Sequence, residues 1–371
     1  MEYNTPEPIV TERHSYLKFL LVVLFVAIAM SAALHGYLWY KKSLTPKDVP
    51  VMDAVEESTG NYPGSYGLNE EVSMDNPPHL SGVVYFTNLV DGLPHVFRYA
   101  FAEKKITPVG TQAQSGYQVV RPGVALVIAR TTSTNEQNAW QPAEYTLSTG
   151  AVKTLQNVQG FSVENLAVSP ADGSYAYSYQ NEDQAAENKG LVENWNIAIH
   201  TKNGEVQKIE KAHEPIWLPN GTQLLYIAED GVHRYDTTTK AATLVFADYA
   251  PLSRLEDIAV SPDGKTVILT KPSENTLSVA SFIETGTLQE IGRIVSDDAG
   301  YSRPQFSFDG HSYVVLATKL GEVTTTDDGQ MTYTTHATAE IRPIGSAQVI
   351  DSIPVTDVSE GSLNFTGWLA K

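Results

Sequence analysis

The 371-residue chain contains no cysteine. Disulfide frameworks, thiolate metal sites and cysteine nucleophiles are excluded together, and the redox state of the compartment leaves no mark on the sequence. Basic residues are scarce: 25 Lys and Arg stand against 43 Asp and Glu, a net charge of −18. From residue 79 onward the balance is 20 against 33, a net of −13. A field of that sign repels phosphate backbones and anionic bilayers, so nucleic acid is excluded as a partner. Solubility alone accounts for such a charge, while cationic ligands and basic protein patches suit it. Helical periodicity is nearly missing after residue 42, and only one long run lacks charge.

That run is Phe19–Tyr40, 22 residues without Asp, Glu, Lys or Arg. At about 1.5 Å per residue a helix of this length crosses a hydrocarbon core of about 30 Å. Tyr16 and Lys18 flank one end; Trp39, Tyr40, Lys41 and Lys42 flank the other, as interface anchors do. The sequence therefore predicts an N-terminal tail over 1–18 and a single-pass transmembrane helix over 19–40. A cleaved signal peptide is the alternative, with Ala27-Ile-Ala29 or Ser31-Ala-Ala33 as the small-residue site. The apolar run continues past both sites and favours an uncleaved anchor. Small residues at Ala29 and Ala33, and at Ala32 and Gly36, permit a weak homodimer through this helix. Residues 41–79 hold Pro46, Pro50, Pro63, Pro77 and Pro78, scattered acids and no apolar period. They read as a flexible linker with a reach of roughly 30–35 Å.

The remaining residues, 80–371, repeat themselves. Leu166-Ala-Val-Ser169-Pro170-Ala-Asp172-Gly173 returns as Ile216-Trp-Leu-Pro219-Asn220-Gly221. It returns again as Ile258-Ala-Val-Ser261-Pro262-Asp263-Gly264 and as Gln305-Phe-Ser307-Phe-Asp309-Gly310. The spacing is 43 to 49 residues, and a period of that size made of short strands signals propeller blades. In three copies the apolar strand stops at a proline (Pro170, Pro219 or Pro262), which has no N–H to donate, and in the fourth Phe308 takes its place. Asp-Gly or Asn-Gly then supplies a tight turn, and a second strand follows at once. The aspartates are thus turn residues, and none fits a calcium loop.

A degenerate copy, Tyr117-Gln-Val-Val-Arg121-Pro122-Gly123, lies upstream. Two further strand-like runs follow each anchor, giving four strands per unit. Val83–Thr87 has the look of a second strand without a first; Leu363–Trp368 looks like a first strand without followers. Pairing them closes a ring of six blades and removes both free edges. Thr324–His336 is read as a hairpin extension around Asp327-Asp328-Gly329, not as part of a seventh unit.

These residues resemble the WD40-like repeat of TolB-type β-propellers: an apolar strand, Ser-Pro-Asp-Gly, another apolar strand. The likeness runs from near residue 80 to the end. It implies an all-β, six-bladed β-propeller of four-stranded blades, closed by the C-terminal strand and following one N-terminal transmembrane helix. Neither the α/β domain of TolB nor a hydrolase domain accompanies the repeats, so no role in a particular envelope complex is implied. Lysines beyond the apolar run lean weakly toward a cytoplasmic propeller, but large domains translocate largely regardless of charge. The Thr-, Ser-, Asn-, Gln- and Tyr-rich composition and the TolB-like repeat point to an extracytoplasmic domain, periplasmic or cell-surface.

Motifs for chemistry are missing. Gly160-Phe-Ser162-Val-Glu164 and Gly300-Tyr-Ser302-Arg-Pro304 both fail the nucleophile elbow at its second glycine. No zinc-protease helix, phosphate loop or dinucleotide loop is present. The expectation is therefore a protein that is not an enzyme and has no cofactor or metal. Aligning the repeats yields one constellation. First strands line a propeller's channel, and the positions four and five residues before each anchor serine should meet at one mouth. They comprise Tyr117, Glu164, Asn165, His213, Glu214, Glu256, Asp257, Ser302, Arg303 and Ser362. Converging ionisable groups in a concave site are candidates for ligand binding, with a cation or amine as the natural guest. The plain structural alternative is a hydrated ring in which Arg303 pairs with Asp257 or Glu256.

The expected function is a membrane-anchored binding or scaffold propeller of the cell envelope, gripping a protein or polysaccharide. The alternatives are a lyase or glycoside hydrolase working through the channel-mouth carboxylates, and an accessory propeller of a separate hydrolase.

Overall fold

The computed structural model describes residues 80–370, except 91–92, 110–114, 122–123, 131–139, 147, 156–161, 182–194, 249–254, 326–330 and 355–362. The expected helix over 19–40, the tail 1–18 and the linker 41–79 lie outside the described residues. Among the described residues no helix is long and apolar enough to cross a membrane.

Strands dominate, as the alternating, β-branched and aromatic sequence requires. There are six antiparallel four-stranded sheets. Blade 1 sets β24 (Asn364–Leu369) beside β1 (Val83–Val90), β2 (Leu93–Ala100) and β3 (Lys105–Val109). Blade 2 holds β4 (Ser115–Arg121), β5 (Val124–Arg130), β6 (Trp140–Thr146) and β7 (Ala151–Thr154). Blade 3 holds β8 (Ser162–Val168), β9 (Tyr175–Gln180), β10 (Asn196–His200) and β11 (Val206–Glu210). Blade 4 holds β12 (Ala212–Trp217), β13 (Gln223–Ala228), β14 (Gly231–Asp236) and β15 (Ala241–Ala247). Blade 5 holds β16 (Asp257–Val260), β17 (Thr266–Lys271), β18 (Thr276–Phe282) and β19 (Leu288–Val295). Blade 6 holds β20 (Ala299–Phe306), β21 (Ser312–Thr325), β22 (Met331–Pro343) and β23 (Asp351–Ile353). Six blades are therefore present, and the extra residues of blade 6 are a long hairpin in which Thr325 still faces Met331.

The first strands touch one another in a closed ring, in the order β24, β4, β8, β12, β16, β20 and back to β24. Closure works as the two chain ends suggested. Val83 faces Leu369 and Thr87 faces Asn364, so the last strand is the innermost strand of the first blade. Trp368 stacks on Phe101 at 5.0 Å, and its indole N–H donates to the Ser81 carbonyl at 2.9 Å.

The core is divided among the blade interfaces. Among the described residues six buried clusters occur, one between each pair of neighbouring blades. In β17 the side chain of Ile268 packs toward blade 6, while Val267 and Leu269 pack toward blade 4. Second strands are thus buried on both faces, which is why Val267–Leu269 and Leu224–Ile227 read as unbroken apolar runs. Trp217 is core as well, with its indole N–H on the Ala167 carbonyl of blade 3.

The repeated anchor does two jobs. Within a blade it is a turn. Ser261 Oγ donates to Asp263 at 2.6 Å, Asp263 accepts the Lys265 N–H at 3.0 Å, and the Thr266 N–H returns to Ser261 Oγ at 2.9 Å. Ser307, Asp309 and Ser312 repeat this set. Between blades the anchor is a stacking surface. Gly264 has φ of 73°, and a Cβ there would lie 2.9 Å from Pro219 Cδ of the preceding blade. Gly221 sits against Ala171 in the same way, with Ser169 Oγ donating to its carbonyl at 2.9 Å. The proline of the motif therefore stops a strand and also supports the next blade's glycine.

If closure holds the ring together, Trp368→Ala removes a buried aromatic from the interface of blades 6 and 1. The expected loss is about 3–5 kcal/mol in urea unfolding of the full-length chain. Val349→Ala, at a 41% exposed position, should change stability by about 0.5 kcal/mol or less. Equal effects from the two substitutions would contradict the closure.

Candidate functional site

Each first strand begins at the face where the second-to-third-strand and blade-to-blade connections lie, and ends at the anchor turn on the other face. The candidate residues sit near the beginning of these strands: Glu164 and Asn165 on β8, His213 and Glu214 on β12, Ser302 and Arg303 on β20. Asp257 starts β16, with Glu256 just before it. Tyr117 lies on β4; its side chain is outside the described residues, and so is Ser362.

Three of these strands are bulged at the candidate position. The register breaks between Glu164 and Ala167, between His213 and Ile216, and between Ser302 and Gln305. In each break one non-glycine residue is left-handed: Asn165 at φ 52°, Glu214 at 53° and Arg303 at 56°. Such residues cost about 1–3 kcal/mol and gather where a side chain is re-aimed. Asn tolerates this backbone; Glu and Arg do not favour it.

The side chains converge electrostatically across the ring. Burial pushes the Glu214 carboxyl well above the ordinary carboxylate range. The charges of Asp257, Glu164 and Glu256 push it the same way, against the opposing pull of Arg303. Burial also raises Glu256, helped by Asp257, and raises Glu164, while Arg303 opposes both shifts. Glu164 and Arg303 belong to blades 3 and 6, which face each other across the ring. Glu164 and Glu256 are exposed at the surface while neighbouring groups partly enclose their carboxyls. Asn165, His213, Glu214, Asp257, Ser302 and Arg303 are half-buried.

The expected alternative pairing of Arg303 with Asp257 takes an unexpected form. Asp257 Oδ2 accepts the backbone N–H of Arg303 at 2.9 Å and the Thr270 hydroxyl at 3.3 Å. Among the described residues no ion pair joins the Arg303 guanidinium to any of the four carboxylates. Among the described residues, too, no three acidic or histidine side chains come together closely enough to chelate one metal ion. Ser178 and Thr270 are missing from the sequence-based set. Ser178 Oγ accepts the Glu214 N–H at 3.1 Å. Both lie nine residues after an anchor serine, Ser169 and Ser261, and a hydroxyl in an otherwise apolar second strand was the available signal.

No family model and no curated protein matches the chain. Solved structures of similar fold include a protein assigned as TolB from Agrobacterium tumefaciens, at 12% identity and a TM-score of 0.48. The match covers 74% of this chain and 89% of that one. A periplasmic gluconolactonase of Pseudomonas aeruginosa matches at 13% identity and a TM-score of 0.48, covering 76% of this chain and 99% of that one. A protein assigned as a 6-phosphogluconolactonase from Bacteroides uniformis matches at 11% and 0.46, covering 77% and 100%. These likenesses are of fold. They correct the expectation that the chain is not an enzyme, because lactonases are among the propellers it is similar to. Missing elbow and zinc-protease motifs exclude nothing in a fold whose channel can carry its own acids and bases.

Glu214 gives a sign that can be checked. Its pKa is raised in the folded state, so folding favours the protonated carboxyl. Stability should be highest below the ordinary glutamate range and fall as pH rises from there through the folded value. Glu214→Gln, which mimics the protonated form, should match wild type near pH 4 and melt higher than wild type at pH 8. Parallel melting curves across that range would contradict the assignment.

Proposed function

We propose that the channel mouth on the connection face binds a ligand through an ammonium or guanidinium group. The observation that carries this is that Glu164, Glu214, Glu256 and Asp257 stand near the beginnings of the first strands of three successive blades, that their charges act on Glu214, and that among the described residues none forms an ion pair with Arg303. A ligand with spaced cationic nitrogens meets these carboxyls at separate points, and partial enclosure strengthens each interaction. Among the described residues no group of three acidic or histidine side chains could share one ion, and carboxyls set apart suit the spaced nitrogens of an amine. The single-pass anchor over 19–40, the extracytoplasmic setting and a protein or polysaccharide partner are part of the same proposal. The charge-free run Phe19–Tyr40 and the acidic, polar domain support them.

General acid–base chemistry at the same mouth is the second reading, of lyase or glycoside hydrolase type. One contrast favours it: Glu214 holds its proton to unusually high pH, while its neighbour Asp257 accepts two hydrogen bonds. Paired carboxyls in unlike environments are how one site supplies both an acid and a base.

Calorimetric titration of spermidine into the full-length chain tests the first reading. Wild type should bind, binding should weaken as salt rises, and Glu256→Gln should bind about tenfold more weakly, the equivalent of about 1.4 kcal/mol. Identical isotherms for the two proteins, or no heat from either, would remove the amine reading.

A further inference from the structure

We propose that Ser178 and the Thr270–Asp257 pair are positioning residues that lock the left-handed backbone at Glu214 and Arg303 and so aim both side chains into the channel. Ser178 and Thr270 are fully buried on the second strands of blades 3 and 5. Ser178 faces Glu164 in register, and Thr270 faces Asp257. From the same repeat position Ser178 reaches the following blade directly, and Thr270 supports the carboxylate that does so. Ser178 Oγ takes the Glu214 N–H directly, at 3.1 Å. Thr270 Oγ1 donates to Asp257 at 3.3 Å, and Asp257 takes the Arg303 N–H at 2.9 Å.

The pattern of need and supply matches. In blades 4 and 6 the same repeat position holds Ile227 and Leu316, which offer no hydrogen bond. The blade after blade 4 has Asp257 at the candidate position, and Asp257 is not left-handed. The left-handed residue of blade 3 is Asn165, a type that adopts this backbone without outside help. Hydroxyls therefore occur where the next blade must hold Glu or Arg in a conformation neither favours. A bulge held this way re-aims its side chain, and a single lost hydrogen bond frees it to relax.

The purpose of this lock rests on the channel-mouth reading, but the lock can be tested apart from it. The full-length chain is labelled with 13C at its glutamate carboxyls, and Glu214 is followed by NMR through a pH titration. Spermidine binding is measured on the same samples. In Ser178→Ala the Glu214 midpoint should move toward the ordinary glutamate range and spermidine should bind about tenfold more weakly. Thr270→Val should weaken spermidine similarly through Arg303, and Thr270→Ser, which keeps the hydroxyl, should restore it. Ile227→Val, the same step in blade 4, should change neither readout. An unmoved Glu214 midpoint in folded Ser178→Ala would overturn the proposal, as would equal behaviour of Thr270→Val and Thr270→Ser. If Ser178→Ala fails to fold, the Thr270 pair decides. If wild type binds no spermidine, the amine reading fails alone and the Glu214 midpoint still decides the lock.

Discussion

No blade of this protein can stand by itself, because its second strand is buried on both faces. Each sheet must find a neighbour on either side, and only a closed ring gives every sheet two. Six interfaces hold six apolar clusters, and the last is completed by residues from both ends of the described chain: Val84 and Phe86 with Phe365 and Trp368. Closure by β24 is thus the constraint on which the rest depends. The anchor turns add a second set of ties, with Gly221, Gly264 and Gly310 resting on Ala171, Pro219 and Pro262 of the blade before.

The site is a by-product of that ring. First strands are forced side by side at the axis, so whatever stands near their beginnings is brought together. Four carboxylates and one guanidinium stand there, drawn from blades 3 to 6. Bulges at β8, β12 and β20 break the strand register where Asn165, Glu214 and Arg303 leave the backbone. The electrostatic consequence is local: burial and neighbouring charge combine to keep Glu214 protonated beyond the ordinary range, with Arg303 as the counterweight. Fold likeness to TolB and to lactonase propellers leaves the chemistry of this mouth open, because function resides in the site and not in the fold.

Much of this architecture is legible in the sequence because it is periodic. Ser261-Pro262-Asp263-Gly264 and its relatives mark every first-to-second-strand turn from blade 3 onward. The unpaired Val83–Thr87 and Leu363–Trp368 announce their own partnership. Residues at equal distance from the anchors, such as Glu214 and Arg303, can be aligned without coordinates. The bulges could not be read, because Glu and Arg carry no preference for left-handed backbone. Their cause lies in another blade: Ser178 is 36 residues from Glu214, and Asp257 is 46 from Arg303. The second role of the motif's proline was hidden for the same reason, since Pro219 meets Gly264 only when two blades stack. The expectation of no enzyme leaned on motifs that belong to other folds, and their absence excludes nothing here.

The most direct measurement is an experimental structure of the full-length chain determined with spermidine bound. The account predicts ligand density at the beginning of β8, β12, β16 and β20, with amine nitrogens within hydrogen-bond distance of the Glu164, Glu214 and Glu256 carboxyls. Density confined to the outer acidic surface, with Arg303 closed onto those carboxylates, would contradict it.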